Sequence, residues 1–257
     1  MTDKTFSSYK DSYTSGDDAD DLWFSDGFGK VYTNDGDDFV GASSDSGTLF
    51  MGEGNDSLWA YADLDYVDMG DGDDLVYLLT SGRTDLDGTT DIAYLNLGDG
   101  DDVVKKLDYT GTITQLYAGD GDDKINLDDA LYVSLGNGDD TLNGDDVKWI
   151  DAGDGDDTIT LSGDTEIVDL GDGDDSLTLT ITDDDDNFYF TVSIDGGEGD
   201  DTLDLYVDDG ANVSFTDTTV TIQNGSDTTV IDYVDLEEIT IWEGDNPGVT
   251  VLTDFLA

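Results

Sequence analysis

A seven-residue acidic segment returns so often along this chain that any fold must be built around it. It reads Gly153-Asp154-Gly155-Asp156-Asp157-Thr158-Ile159, and recurs as Gly171-Asp172-Gly173-Asp174-Asp175-Ser176-Leu177 and as Gly136-Asn137-Gly138-Asp139-Asp140-Thr141-Leu142. Six further copies run Asn34 to Val40, Gly52 to Leu58, Gly70 to Val76, Gly98 to Val104, Gly119 to Ile125 and Gly197 to Leu203. A degenerate tenth, Ala19-Asp20-Asp21-Leu22-Trp23, opens the series with Asp21 as its final acid. Successive final acids stand 17, 18, 18, 28, 21, 17, 17, 18 and 26 residues apart, a modal period of 17 or 18 with three insertions. Repeats of this length are stacked units, none of which can bury its apolar face alone.

Each period carries two strand signals. Apolar and polar residues alternate after the final Asp, as in Thr158-Ile159-Thr160-Leu161. A turn such as Ser162-Gly163-Asp164-Thr165 follows, then a second strand such as Ile167-Val168-Asp169-Leu170. Aligned on the repeat, one column reads Val31, Leu49, Val67, Leu95, Leu116, Val133, Ile150 and Val168. The other reads Val40, Leu58, Val76, Val104, Ile125, Leu142, Ile159, Leu177 and Leu203. Both are aliphatic throughout. The expected fold is all-β, a right-handed parallel β-roll or β-solenoid of about ten coils with the two columns facing each other across a narrow core. Residues 1–15 are expected to form an N-terminal cap segment, 16–205 the roll, and 206–257 a β-rich C-terminal cap in which Val220-Thr221-Ile222, Val230-Ile231 and Ile239-Thr240-Ile241 continue the alternation.

Charge decides what the turns must do. The chain of 257 residues has 65 Asp plus Glu against 8 Lys plus Arg, a formal net charge of −57, with no His and no Cys. Nucleic acid and anionic membrane surfaces are repelled by such a field. No apolar run is long enough to span a bilayer, so no membrane insertion is expected. Without Cys or His there is no thiolate chemistry and no imidazole base, and the paired carboxylates have a better use, so no enzyme is expected. Carboxylates repeated on successive coils would lie about 4.8 Å apart and repel unless a cation sits among them. Donors that are all oxygen select a hard ion, Ca²⁺ ahead of Mg²⁺. An EF-hand does not fit, because no helices flank the motif and no Glu closes a twelve-residue loop.

The pattern x-Gly-x-Gly-x-Asp-x-aliphatic-x resembles the nonapeptide of RTX (repeats-in-toxin) proteins, the calcium-binding parallel β-roll. The resemblance covers about residues 16 to 205. It implies that Asp38, Asp56, Asp74, Asp102, Asp123, Asp140, Asp157, Asp175 and Asp201 are side-chain calcium ligands. Carbonyls of the motif glycines Gly36, Gly54, Gly72, Gly100, Gly121, Gly138, Gly155, Gly173 and Gly199, with their neighbours, would complete each shell. The motif returns about every 18 residues rather than every nine, so one row of calcium is expected, at most eight ions, with a metal-free opposite edge. The resemblance also implies type I secretion, to which the polar start Met1 to Tyr13 and the apolar tail ending Asp254-Phe255-Leu256-Ala257 conform. Folding would then be coupled to location, with external Ca²⁺ ordering a chain that self-repulsion keeps unfolded inside the cell.

Outward positions suggest a use for the scaffold. One column reads Leu22, Phe39, Leu75 and Val103, with Phe24, Trp59 and Tyr77 alongside. Another reads Tyr66, Tyr94, Tyr132, Trp149 and Ile167, with Tyr32, Phe50 and Tyr117 beside it. Toward the C-terminus the first becomes Thr158, Thr160, Ser176, Thr178 and Thr202. A contiguous apolar stripe on a highly charged protein points to a protein–protein face, here Phe39, Trp59, Tyr66, Tyr77, Tyr94, Tyr117, Tyr132 and Trp149. The expected function is an extracellular, calcium-binding structural protein that self-assembles at the bacterial cell surface as a layer, filament or matrix. The alternative is a calcium-dependent adhesin, or a mineral- or ice-binding module. Outward turn positions such as Asp71, Asp99, Asp120, Asp154 and Asp172 are charged and strongly hydrated, which weighs against ice at that edge.

Overall fold

The computed structural model describes residues 2–79, 90–107, 111–181, 189–225, 227–244 and 249–252. The tail expected to signal secretion and residues 80–89 of the first long insertion lie outside the described residues. Those described form 24 strands and no helix. They fall into two compact units, Met1–Gly136 and Asn137–Ala257.

In the first unit, strands alternate between two parallel sheets. One sheet takes Thr2–Phe6, Asp20–Phe24, Phe39–Ala42, Ser57–Ala60, Leu75–Leu79 and Val103–Leu107 in order. The other takes Lys10–Thr14, Phe28–Tyr32, Ser46–Glu53, Leu64–Asp71, Leu95–Asp99 and Ile113–Asp120. Each coil thus contributes one strand to each sheet, which makes the unit a parallel β-solenoid. Residues up to Thr14 already form a coil of this kind without a Gly-Asp turn. Phe6, Tyr13, Phe24 and Phe28 pack as a ring cluster there, with Phe6 and Phe24 stacked at 4.7 Å.

The second unit repeats the plan and then departs from it. The long strand Thr141–Asp154 pairs through its first half with Thr158–Ser162 and through its second with Ile167–Asp172. One sheet continues through Ser176–Ile181, Thr202–Val207 and Glu238–Glu243, the other through Tyr189–Asp195 and Asp227–Val234. Among the described residues of this unit, antiparallel pairing enters only toward the C-terminus. A hairpin, Asn212–Thr216 with Thr219–Asn224, lies against Asp227–Val234, and Val249–Leu252 lies against Glu238–Glu243. These strands cover edges that would otherwise offer unpaired backbone groups.

Both aliphatic columns face inward, and every member is no more than 2% exposed. The parallel register aligns them residue on residue, as in Val40, Leu58, Val76 and Val104. One expectation fails at the first repeat. The register pairs Leu22 with Val40 and Asp21 with Phe39, so Asp20, not Asp21, matches Asp38. Leu22 and Phe24 therefore lie in the core, both fully buried, and Trp23 takes the outward place. A one-residue slip in a period-two element moves every side chain to the other face. Leu22→Ala should accordingly cost about 2–5 kcal/mol in chemical denaturation; an outward leucine would give a change within about 0.5 kcal/mol.

Candidate metal centre

The final Asp of each repeat sits where the Gly-rich turn enters a strand, and its side chain turns inward. From Asp38 to Asp201 all nine are 0–2% exposed. In the first unit the Oδ1 of each accepts a hydrogen bond from the backbone N–H of its counterpart one coil earlier. Asp20 donates to Asp38 at 2.6 Å, and Asp38, Asp56, Asp74 and Asp102 each donate to the next at 2.7 Å. In the second unit Asp140, Asp157 and Asp175 donate to Asp157, Asp175 and Asp201 at 2.7–2.9 Å. The turns can stack this closely only because backbone rests on backbone. Gly98 has φ +117°, and a Cβ there would overlap the Gly70 carbonyl oxygen. Gly100, the second glycine of the same turn, stands in the same relation to the Gly72 carbonyl. This contact between coils leaves no mark in the sequence beyond the glycines themselves.

The preceding Asp of each pair builds a second, outer ladder that runs the opposite way. Backbone N–H groups of Asn55, Asp73, Asp101 and Asp122 donate to Oδ1 of Asp37, Asn55, Asp73 and Asp101, at 3.0–3.1 Å. Those of Asp156, Asp174 and Asp200 donate to Asp139, Asp156 and Asp174 at 2.9–3.0 Å. An Asn is accommodated at residue 55 because only an acceptor oxygen is used there. The inner ladder carries an acid at every rung.

Burial without a neutralising partner raises the inner carboxyls. Desolvation pushes Asp38 up to about 6, Asp56 to about 7, Asp74 to about 8 and Asp102 to about 7, against the hydrogen bond each accepts. In the second unit it takes Asp157 to about 7 and Asp175 and Asp201 to about 6. The second oxygen of each of these seven, Oδ2, is buried with no hydrogen-bond partner. A buried charge left so is untenable unless it is protonated or meets a cation. A hard divalent ion fits this donor set, since every available group is carboxylate or carbonyl oxygen. Among the described residues no three acidic side chains converge into a cage by themselves. Any ion must therefore draw on backbone carbonyls as well. Carbonyls of the second glycines, such as Gly36, Gly54, Gly72, Gly138, Gly155 and Gly173, face the glycine of the following coil and lie in the gap between turns. Gly199 rests on Gly173 in the same way.

Two members of the inner ladder escaped the sequence reading. Asp20 is 3% exposed and takes the place that had been given to Asp21. Counting one modal period of 18 back from Asp38 finds it. Glu237 ends the ladder, accepting the Asp201 N–H at 2.6 Å across a separation of 36 residues. No glycine marks it. The aliphatic alternation after it, Ile239 and Ile241 in register with Leu203 and Leu205, was the usable signal.

The opposite edge is built otherwise. Oδ1 of Asp63 accepts the Asp91 N–H and Oδ1 of Asp91 accepts that of Thr112, both at 2.8 Å, but Asp91 is exposed and Asp63 half-buried. The expected interaction face is two stripes, not one. Phe39, Trp59 and Tyr77 lie in ring contact on one sheet of the first unit, with the Lys105 ammonium over Tyr77. Tyr66 and Tyr117, on strands of the other sheet, with Tyr94 just before the strand Leu95–Asp99 and Tyr132 on the strand Lys124–Asn137, form a chain of rings 4.8–5.6 Å apart. Trp149 belongs to the second unit, in register with Ile167, and each is 46% exposed.

No family model matches the chain, and no curated protein matches it. Among solved structures it is similar to a hyperactive, Ca²⁺-dependent, beta-helical antifreeze protein from an Antarctic bacterium. The TM-score is 0.61 at 17% identity, over 92% of this chain and 76% of that one. At that identity the likeness establishes the fold, an all-β parallel solenoid.

Proposed function

We propose that this protein is an RTX-type calcium-folded solenoid, secreted and assembled at the bacterial cell surface as a structural layer, filament or matrix. The observation that carries the calcium reading is the row of buried Oδ2 atoms without hydrogen-bond partners. One ion between coils neutralises the row and ties successive turns together. The beta-helical protein of similar fold is itself Ca²⁺-dependent, which supports the same reading. Assembly is supported by the aromatic stripes on two sheets of the first unit. One adhesive face yields a closed dimer, whereas two can propagate.

A second reading, an ice- or mineral-binding surface, is favoured by a different feature. On the outward face of the second unit, Thr141, Thr158, Ser176 and Thr202 align in one column, and Asn143, Thr160 and Thr178 in the next. These hydroxyls and one amide on parallel strands make a regular polar array that gives way to acids only at its end, where Asp204 follows Thr178 and Glu238 follows Thr202.

Electron microscopy of the purified protein with millimolar Ca²⁺ and with chelator, alongside thermal-hysteresis measurements, separates the two. Ordered sheets or fibres that appear only with calcium, and that Trp59→Ser with Tyr94→Ser abolishes without loss of folding, are the expected result. Dispersed particles with thermal hysteresis that Thr160→Tyr removes would transfer the function to the hydroxyl array.

A further inference from the structure

Where the solenoid of the second unit ends, the regular stacking of Gly-Asp turns is broken. The turn Gly196 to Asp201 is followed one coil later by a much shorter one, in which Asp235 pairs alongside Gly196 and Glu237 alongside Asp201. Asp235 takes φ +49°, a left-handed conformation uncommon for a non-glycine residue. This directs its carbonyl oxygen at Gly196, where a Cβ would overlap it. The same missing Cβ leaves room for Oδ2 of Asp201, 2.9 Å from where that carbon would stand. Asp201 is fully buried and this oxygen has no hydrogen-bond partner. Glu237 closes the other side. Its Oε2 accepts the Asp201 N–H, and the backbone N–H groups of Glu237 and Glu238 both donate to the Asp201 carbonyl. The glutamate carboxylate thus takes the N–H that an aspartate accepts in the coils before it.

From this convergence we propose a terminal divalent-cation site over Gly196, formed by the Asp201 and Glu237 carboxylates and the Asp235 carbonyl. It lies beyond the last Gly-Asp motif and adds one ion to the row. The proposal rests on the calcium reading above and extends it to residues that the repeat does not encode. Glu198, Gly199 and Asp200 beside it are exposed, so water completes the shell. Fewer protein ligands and open access make this the weakest position of the row, the last to fill and the first to empty.

The test is a count of bound Ca²⁺ by equilibrium dialysis for the full chain, Glu237→Gln and Asp217→Asn. The glutamine keeps an oxygen to accept the Asp201 N–H and removes only the charge. Asp217→Asn removes one charge in the turn of the antiparallel hairpin, where the carboxylate acts on Tyr233 and is not among the proposed ligands, so it controls for the loss of a nearby charge. Glu237→Gln should bind one ion fewer than the parent, with the weakest phase missing from the titration, and Asp217→Asn should bind the full number. An unchanged count in Glu237→Gln overturns the terminal site and reduces Glu237 to a ladder cap. Failure of the parent chain to bind Ca²⁺ at all overturns the calcium reading itself, a different outcome.

Discussion

Excess chelator at about pH 8, where the inner row is ionised, and modest ionic strength is expected to abolish the β-sheet circular dichroism of this protein, and millimolar Ca²⁺ to restore it. The inner ladder of the first unit sets five neighbouring carboxylate contacts from Asp20 to Asp123. Two unit charges one coil apart, about 4.8 Å, repel by about 3 kcal/mol at an effective dielectric constant near 20. Five such contacts rival the whole stability of an ordinary domain, about 5–15 kcal/mol. Occupied sites reverse the balance, each adding about 2.7 kcal/mol when free calcium exceeds its dissociation constant a hundredfold. A chain that keeps its sheet signal in chelator at about pH 8 would remove the basis for calcium-coupled folding.

The pH dependence of the same experiment separates neutralisation by metal from neutralisation by protons. In the metal-free chain Asp38, Asp56, Asp74, Asp102 and Asp157 titrate between about 6 and about 8, above their ordinary 3.8. Over that interval the folded state binds more protons than the unfolded state. The stabilisation is therefore complete at low pH and disappears as pH rises through 6 to 8. Calcium competes with those protons, so the bound form weakens as pH falls through the same range. In chelator, lowering the pH from about 8 to about 5 should recover folded signal, whereas calcium affinity should fall over the same change. Parallel responses would mean that the buried row is not what calcium neutralises.

Much of this was legible in the sequence because strand period and repeat length are both encoded by residue type. The two aliphatic columns and the nine inner acids follow from those rules alone. What escaped does so for identifiable reasons. At the first repeat, Asp20 and Asp21 are both acids, and without glycines to anchor the turn either can be aligned with Asp38; the wrong choice turns Leu22 and Phe24 outward. Glu237 was hidden because the final coil reaches the ladder through a short turn that needs no glycine. The opposed inner and outer ladders were invisible since Asp-Asp reads as two charges, not as two acceptors aimed along opposite directions. The two aromatic columns were legible as separate strands of each coil, but joining them into one contiguous stripe overlooked that those strands lie in different sheets. Tyr66 and Tyr77 are only eleven residues apart in sequence, yet belong to different sheets.

Gly98→Ala is expected to destabilise the calcium-loaded protein by at least about 4 kcal/mol, lowering its melting temperature by about 10 °C or more. Two separate costs meet at this position. A left-handed φ of +117° opposes any Cβ, and the added carbon would overlap the Gly70 carbonyl oxygen of the preceding coil. Since that oxygen belongs to backbone, relief requires the two coils to separate. Separation would lengthen the 2.7 Å bond from the Asp74 N–H to Asp102 and widen the gap in which an ion is held. Calcium affinity should therefore fall together with stability, although no ligand has been replaced. Gly210→Ala supplies the comparison. Its φ is +86°, but nothing lies within 4 Å of the new carbon, so only the backbone cost remains, about 1–2 kcal/mol, with calcium binding unchanged. Equal effects of the two substitutions would show that the motif glycines serve conformation alone, and that the coils do not rest on one another through these carbonyls.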